Sequence, residues 1–192
     1  MRQIELLRFV VEVLDRLGIR YAVVGLYASG AWGEPRMTRD IDIVIDLPML
    51  QADSLCGVFP DDEFYVSRAA AIEAVHQRSQ FNVIHPKSGN KIDFMIAKSD
   101  EWSAAQLSRR KLVAFEADTR GYVATPEDVI LGKLMCYLDG GSEKHLRDIA
   151  GVMNISGETL DRTYITRFAG QFGAGDVWRA ILERVDHSKS ED

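Results

Sequence analysis

The sequence predicts an α/β or α+β core followed by a mainly helical C-terminal part, and three observations lead to this fold class. An N-terminal segment with apolar residues at helical spacing precedes a short β-branched run, "RYAVVG". Further extended runs, "DIDIVID", "FNVIH" and "KIDFMIA", supply more strands. From Thr125 onward the apolar spacing is helical. We therefore expect residues 1–110 to form a sheet flanked by helices and residues 111–192 to form a helical extension packed on it.

The individual elements follow from local signals. Gly18 stands where a left-handed cap would end the first helix, and the glycine-containing "LYASGAWGEPRMT" predicts a short helical connector between the first two strands. "MLQADSLCGVF" and "AAIEAVHQRS" are predicted helices separated by a weak strand, "EFYVS", and "PKSGN" predicts the turn of a hairpin. Thr125 as N-cap, Pro126 and an acidic first turn predict the start of a long helix.

Composition excludes several classes of protein. The 192 residues are 46% hydrophobic with a net charge of -6, which suits a globular core and argues against a general basic surface for nucleic acid. Cys56 and Cys136 stand far apart without metal-ligand spacing, so neither a disulfide framework nor a zinc site is expected. Charges interrupt the apolar N-terminus, so we expect no membrane segment and a cytoplasmic location.

The run "EPRMTRDIDIVID" carries three aspartates that a strand would place on one face, because strand side chains alternate. Asp40 and Asp42 would lie ~7 Å apart along the strand, whereas Asp42 and Asp46 would be ~13 Å apart. Only the first two aspartates can share one metal centre, and Asp46 is interpreted as a strand terminus. The alternative for the pair is a solvated polar strand face.

Two adjacent carboxylates repel each other unless a cation lies between them, and hard oxygen ligands suit Mg²⁺. Two-metal phosphoryl-transfer sites usually need a third acid from another strand. Asp93 in "KIDFMI" is the candidate for that acid. The residues themselves therefore favour nucleotide chemistry.

Three segments in this order, "YAVVGLYASGAWGEPRMTRDIDIVID", "KIDFMI" and "TPEDVILGKLMCYLDGGSEKHLRDI", resemble nucleotidyltransferases of the DNA polymerase beta superfamily. The likeness is to the minimal, abortive-infection toxin-like (AbiEii-type) branch and runs from about Tyr21 to Asp148. It implies a nucleotidyltransferase-like mixed sheet. It also implies two Mg²⁺ ions as cofactors and a nucleoside triphosphate (NTP) as substrate.

The resemblance also implies roles for single residues. Asp40, Asp42 and Asp93 become the catalytic and metal-binding carboxylates, and Gly25 begins a turn that binds the triphosphate. The family usually has Gly-Gly or Gly-Ser there, whereas this chain has Leu26, which offers a backbone N–H but no hydroxyl. Ser29 is the substitute from the next turn of the helix, with a plain helical serine as the alternative.

Two cations complete the predicted nucleotide site. Arg36 either counters the triphosphate charge or pairs with a carboxylate, and Thr38 is expected to bond the local backbone. Lys133 lies among apolar residues of the helix from Pro126, so it must either extend to solvent or meet an anion; the resemblance favours the triphosphate. His145, Arg147 and Asp148 are interpreted as part of a charged surface helix.

The predicted activity is transfer of a nucleoside monophosphate from an NTP to a hydroxyl of an RNA, a protein or a small molecule. The resemblance adds a toxin–antitoxin or abortive-infection role with an antitoxin-like protein partner. The alternative is a catalytically impaired nucleotide-binding or protein-interaction module with the same fold, which Leu26 favours.

Overall fold

The computed structural model describes residues 1–34, 38–116 and 119–190, with side chains up to residue 185. Within these residues the chain forms nine helices and one seven-stranded sheet. The helices are α1 (Gln3–Arg16), α2 (Gly25–Trp32), α3 (Met49–Cys56), α4 (Arg68–Gln77), α5 (Glu101–Arg109), α6 (Pro126–Gly140), α7 (Lys144–Ser156), α8 (Arg162–Gln171) and α9 (Gly175–Ser190). The strands are β1 (Arg20–Val23), β2 (Asp40–Asp46), β3 (Tyr65–Val66), β4 (Gln80–His85), β5 (Asn90–Ile96), β6 (Lys111–Glu116) and β7 (Thr119–Val123). The predicted mixed α/β architecture is confirmed.

The sheet has the strand order β3-β4-β5-β2-β1-β7-β6. Its centre is mixed, because β2 runs antiparallel to β1 but parallel to β5, while β1 runs parallel to β7. Side chains alternate along β2 and β5, so each strand has one fully buried face and one half-exposed face. The buried face is made of Ile41, Ile43, Ile45, Ile92, Phe94 and Ile96.

Most of the predicted local elements are present at their predicted places. Helix α1 packs on β1 and β7, and Gly18 follows it in the left-handed region at φ +66°. The hairpin of β4 and β5 pairs His85 with Asn90 around a turn that contains Gly89 at φ +70°. Thr125 caps α6, as predicted, by accepting a hydrogen bond from the backbone N–H of Asp128.

Sequence reasoning missed α5, β6 and β7. The last of these strands lies beside β1, so the sheet continues to Val123 before the helices α6 to α9 begin. The division into a core of residues 1–110 and an extension of residues 111–192 stays a prediction. Within the part of the chain that the structure describes, no helix is both long and apolar enough to cross a bilayer.

Later parts of the chain hold the short helix α2 in place. The indole N–H of Trp32 donates to the carbonyl of Ala124 at 2.7 Å, and the Ser156 hydroxyl donates to the carbonyl of Trp32 at 2.7 Å. At Gly33, a Cβ would lie 2.9 Å from the backbone carbonyl carbon of Gly151, so this close approach requires glycine. Helix α2 is therefore fixed between the sheet and α7.

Candidate functional site

Four charged side chains meet on the half-exposed face of two neighbouring strands. In the parallel pair β2 and β5, Asp40 lies opposite Lys91 and Asp42 lies opposite Asp93. Residues two apart on a strand share a face, so all four side chains lie on the same face of the sheet. Asp40 and Asp42 form one side of a square, and Lys91 and Asp93 form the other. We call these residues the β2–β5 square. It brings the three predicted carboxylates together and adds a lysine that sequence reasoning did not single out.

Lys91 neutralises part of the negative charge of the square. Its ammonium lies 2.7 Å from Asp93 Oδ2 and 3.7 Å from Asp40 Oδ1. The hydrogen bond to Asp93 raises the pKa of Lys91, and the charges of all three aspartates raise it further. Lys91 is therefore protonated, and three carboxylates against one ammonium leave the square with surplus negative charge.

Asp42 is the most strained member of the square in electrostatic terms. Burial raises the pKa of its carboxyl, and the neighbouring charges of Asp93 and Asp40 raise it further, against the opposite effects of Lys133 and Lys91. Within the described residues, no hydrogen bond to the Asp42 side chain is found. An added cation would offset the repulsion between the carboxylates and would give the Asp42 carboxylate a partner.

The N-terminus of α2 lies directly against Asp42. Gly25 begins the helix at φ +63°, a conformation that favours glycine, and a Cβ there would lie 1.9 Å from Asp42 Oδ2. The backbone N–H of Val24 also donates to the carbonyl of Asp42 at 2.8 Å. The first N–H groups of a helix lack intrahelical partners and favour anions. Gly25 and Leu26 therefore present such N–H groups next to the carboxylates.

The hydroxyl of Ser29 is bonded within α2. Ser29 is buried, and its hydroxyl donates to the carbonyl of Gly25 at 2.9 Å, inside the helix. Its predicted role as a substitute phosphate ligand stays a prediction. Arg36 lies outside the described residues, whereas the hydroxyl of Thr38 accepts a hydrogen bond from the backbone N–H of Asp40 at 3.1 Å, as expected for a loop-shaping residue.

Lys133 forms an ion pair with an acidic residue of the same chain. Its ammonium lies 2.8 Å from Asp148 Oδ2, and both side chains are at most 10% exposed. Sequence reasoning placed Asp148 on a charged surface helix, which is wrong for this residue because it is buried. The Lys133 charge also acts on Asp42, so the pair borders the β2–β5 square.

A cavity of about 320 Å³ opens beside the Lys133–Asp148 pair. Its walls come from α2 and the segment after it on one side, and from α7 on the other. The lining residues are Ser29, Glu34, Arg147, Asp148 and Gly151. The cavity therefore lies between α2 and α7, next to Asp148.

Asp46 lies outside this site, as predicted. Its carboxylate accepts from the guanidinium of Arg20 at 2.6 Å, and both side chains are exposed. Asp46 therefore belongs to an ordinary surface ion pair at the other end of β2.

The donor set of the β2–β5 square fits a hard divalent cation, because it offers carboxylate oxygens from two adjacent strands. Burial, followed by the like charges of Asp93 and Asp40, raises the pKa of Asp42, and a cation would offset those like charges. As the side chains lie, no group of three or more His, Cys, Asp or Glu residues among those described is arranged around a common metal position. Lys91 supplies the positive charge there instead.

The fold is of the nucleotidyltransferase-like class, as the similarity to solved structures shows. The antigenic nucleotidyltransferase-like protein from Paracoccidioides brasiliensis is similar, with a TM-score of 0.53, 19% identity and coverage of 79% of this chain and 75% of that one. The solution structure of the antibiotic-resistance factor ANT(2'')-Ia is also similar, with a TM-score of 0.52 and 12% identity. The match covers 99% of this chain and 98% of that one. The complex of ANT(2'')-Ia with adenylyl-2''-tobramycin gives a TM-score of 0.51, 15% identity and coverage of 90% and 97%.

A scan against protein-family models and a search of curated proteins returned no match. The structural likeness, at these low identities, therefore concerns the fold. Membership of the AbiEii-type branch stays a prediction.

Proposed function

We propose that the chain is a metal-dependent nucleotidyltransferase that moves a nucleoside monophosphate from an NTP to a hydroxyl acceptor. The observation that carries this proposal is the packing of Gly25 against Asp42, which joins a helix N-terminus to the carboxylates of the β2–β5 square. A phosphate group bound by the helix N–H groups would then lie beside the acids that hold its metal. The contact thus brings backbone N–H donors and a carboxylate side chain together.

The chemistry is an exchange of phosphorus–oxygen bonds. The acceptor oxygen forms a bond to the α-phosphorus, the bond to the pyrophosphate oxygen breaks, and the acceptor proton passes to a base, for which Asp93 is the candidate. Asp40, Asp42 and Asp93 would hold Mg²⁺, which would neutralise developing charge and lower the pKa of the acceptor hydroxyl. Gly25 and Leu26 orient the phosphates through their N–H groups.

Lys133 has a role on the same side. Its ammonium is buried with Asp148 and its charge acts on Asp42. A triphosphate carries more negative charge than one carboxylate, so Lys133 is placed to contact phosphate oxygens while Asp148 holds it near the site. The residual pairing would limit the side chain to few conformations.

The acceptor belongs to one of three classes: RNA, protein or small molecule. ANT(2'')-Ia, a protein of similar fold, has been captured with adenylyl-2''-tobramycin, in which an adenylyl group is joined to a small molecule. The net charge of -6 also disfavours a large RNA footprint. A toxin role with an antitoxin-like partner is the variant of this proposal in which the acceptor is a cellular macromolecule.

The test is incubation of the protein with each labelled NTP, Mg²⁺ and crude cell extract, followed by separation of the products by size. Transfer requires label in one size fraction, release of pyrophosphate, and loss of both with Asp42→Asn. The fraction that carries the label identifies the class of acceptor.

A second function is favoured by Leu26 and by the two ion pairs that already satisfy Lys91 and Lys133. The chain would then be a nucleotide-binding or protein-interaction module without catalysis. An NTP titration distinguishes the two: Mg²⁺-dependent binding without pyrophosphate release across many acceptors supports the module and contradicts transfer.

A further inference from the structure

Lys91 lies where the β2–β5 square has its highest concentration of negative charge. Its backbone is fixed opposite Asp40 by the parallel register, and its backbone N–H donates to the carbonyl of Arg39 at 3.2 Å. The ammonium donates to Asp93 at 2.7 Å and faces Asp40 at 3.7 Å. One side chain therefore bridges an acid of its own strand and an acid of the neighbouring strand.

The same oxygens cannot serve the ammonium and a divalent cation at full strength. Asp93 Oδ2 at hydrogen-bond distance from Lys91 is an oxygen that a metal shared with Asp42 would need. Lys91 is 31% exposed, so its long, flexible side chain has solvent to withdraw into. The ion pair and metal binding are therefore alternatives linked by one rotation of the lysine side chain.

We propose that Lys91 is a tethered counter-ion, which stabilises the metal-free site and competes with the divalent cation for Asp93 and Asp40. This inference rests on the proposed function, because it concerns the same carboxylates. Lys91 sets the metal concentration at which the site fills, and it releases Asp93 when the metal enters. Asp93 is thus free of the ammonium only in the metal-loaded state.

Replacing Lys91 should have different effects according to whether it competes with the metal or only supports the fold. A residue that only supports the fold would, when replaced, weaken both folding and metal binding. A competing counter-ion would, when replaced, lower the stability of the metal-free protein and strengthen metal binding. Opposite signs in the two measurements are therefore the signature of competition.

The experiment compares the wild-type protein with Lys91→Met and with the control Lys87→Met, which removes the same charge from an exposed position in the β4–β5 turn. Mn²⁺ binding is measured without nucleotide by electron paramagnetic resonance, and thermal unfolding is measured in EDTA. We expect Lys91→Met to bind Mn²⁺ about 3- to 10-fold more tightly, the range of a close ion pair. Its melting temperature in EDTA should fall by about 2–4 °C, and the control should change neither value.

The outcomes separate this inference from the proposed function. If the wild type binds Mn²⁺ and Lys91→Met leaves this binding unchanged or weakens it, the counter-ion proposal is overturned and the metal site stands. Mn²⁺ binding that is absent in the wild type and in Lys91→Met overturns the metal site itself. Lys91→Gln, which keeps a polar side chain without the charge, replaces Lys91→Met if the latter does not fold.

Discussion

Asp128 is buried and Asp42 is half-buried, and the surroundings of these two aspartates differ sharply. Asp128, at the start of α6, accepts hydrogen bonds from the indole of Trp102 at 2.9 Å, the hydroxyl of Tyr164 at 2.8 Å and the hydroxyl of Thr125 at 2.9 Å. The guanidinium of Arg109 lies 3.8 Å away. Asp42 has carboxylates as its nearest neighbours in the square and, among the described residues, no such donors.

The difference indicates different roles. Three hydrogen bonds to the Asp128 carboxylate join α5, α6 and α8, so this carboxylate stabilises the fold. Asp42 is surrounded by like charge, which costs folding free energy and is retained where a ligand repays it. Burial raises the pKa of both carboxyls, but only at Asp42 do like charges contribute to the rise.

The largest expected effect is on activity at Asp42. Asp42→Asn should lower nucleotide transfer by roughly 10²–10³-fold, because it removes a charged ligand from the reacting centre. It should leave the thermal stability unchanged or raised, since it also removes like-charge repulsion. Transfer assays and thermal melts measure the two; a marked loss of stability would contradict the comparison.

Asp128 should show the reverse pattern. Asp128→Ala leaves the donors of Trp102, Tyr164 and Thr125 without their acceptor and should cost about 3–5 kcal/mol of unfolding free energy, measured by urea denaturation. Activity per folded molecule should stay within a few-fold of the wild type. A stable but inactive Asp128→Ala protein would assign a direct functional role to this residue.

Gly25→Ala tests the contact between the helix N-terminus and Asp42. The left-handed backbone should cost about 1–2 kcal/mol, and the new methyl group would displace the Asp42 carboxylate, so nucleotide binding should weaken as well. Gly132→Ala is the matched control, because a Cβ at that helical position meets nothing within 4 Å. The control should stabilise by about 0.5–1 kcal/mol; equal behaviour of the two variants would refute the contact.

The smallest effect is expected at Asp46, the aspartate of β2 outside the site. Asp46→Asn breaks an exposed ion pair with Arg20 and should change the unfolding free energy by about 0–1 kcal/mol. Transfer activity should be unchanged. A loss of activity comparable to that of Asp42→Asn would extend the candidate site along the whole strand.

Much of this comparison could be predicted from the sequence. The alternation along "DIDIVID" separated the acidic face from the isoleucine face, and strand rise excluded Asp46. The cap at Thr125 was visible in the residue types. The N-cap at Asp100 was a comparable signal for the missed helix α5, because its side chain accepts from the N–H of Ser103.

Other features depend on contacts that no local pattern encodes. Strands β2 and β5 are separated by α3, β3, α4 and β4, so the register that places Lys91 beside Asp40 could not be derived from either strand alone. The missed strand β7 contains Gly121, a poor strand residue by propensity. Its close approach to Val11 and Tyr21 explains why packing prevails over propensity there.

The sheet order has a practical consequence for preparing fragments of this protein. Strand β1 lies between β2 and β7, so a chain cut after residue 110 would leave β1 at the edge of the sheet, without the strand that pairs with it on that side. Tyr21, Ala22 and Val23 would lose their cover, and such edges template aggregation. The same cut would remove Ala124, the partner of Trp32. A fragment that keeps the β2–β5 square in this sheet must therefore extend past Ala124, although the carboxylates of the square all lie before residue 94.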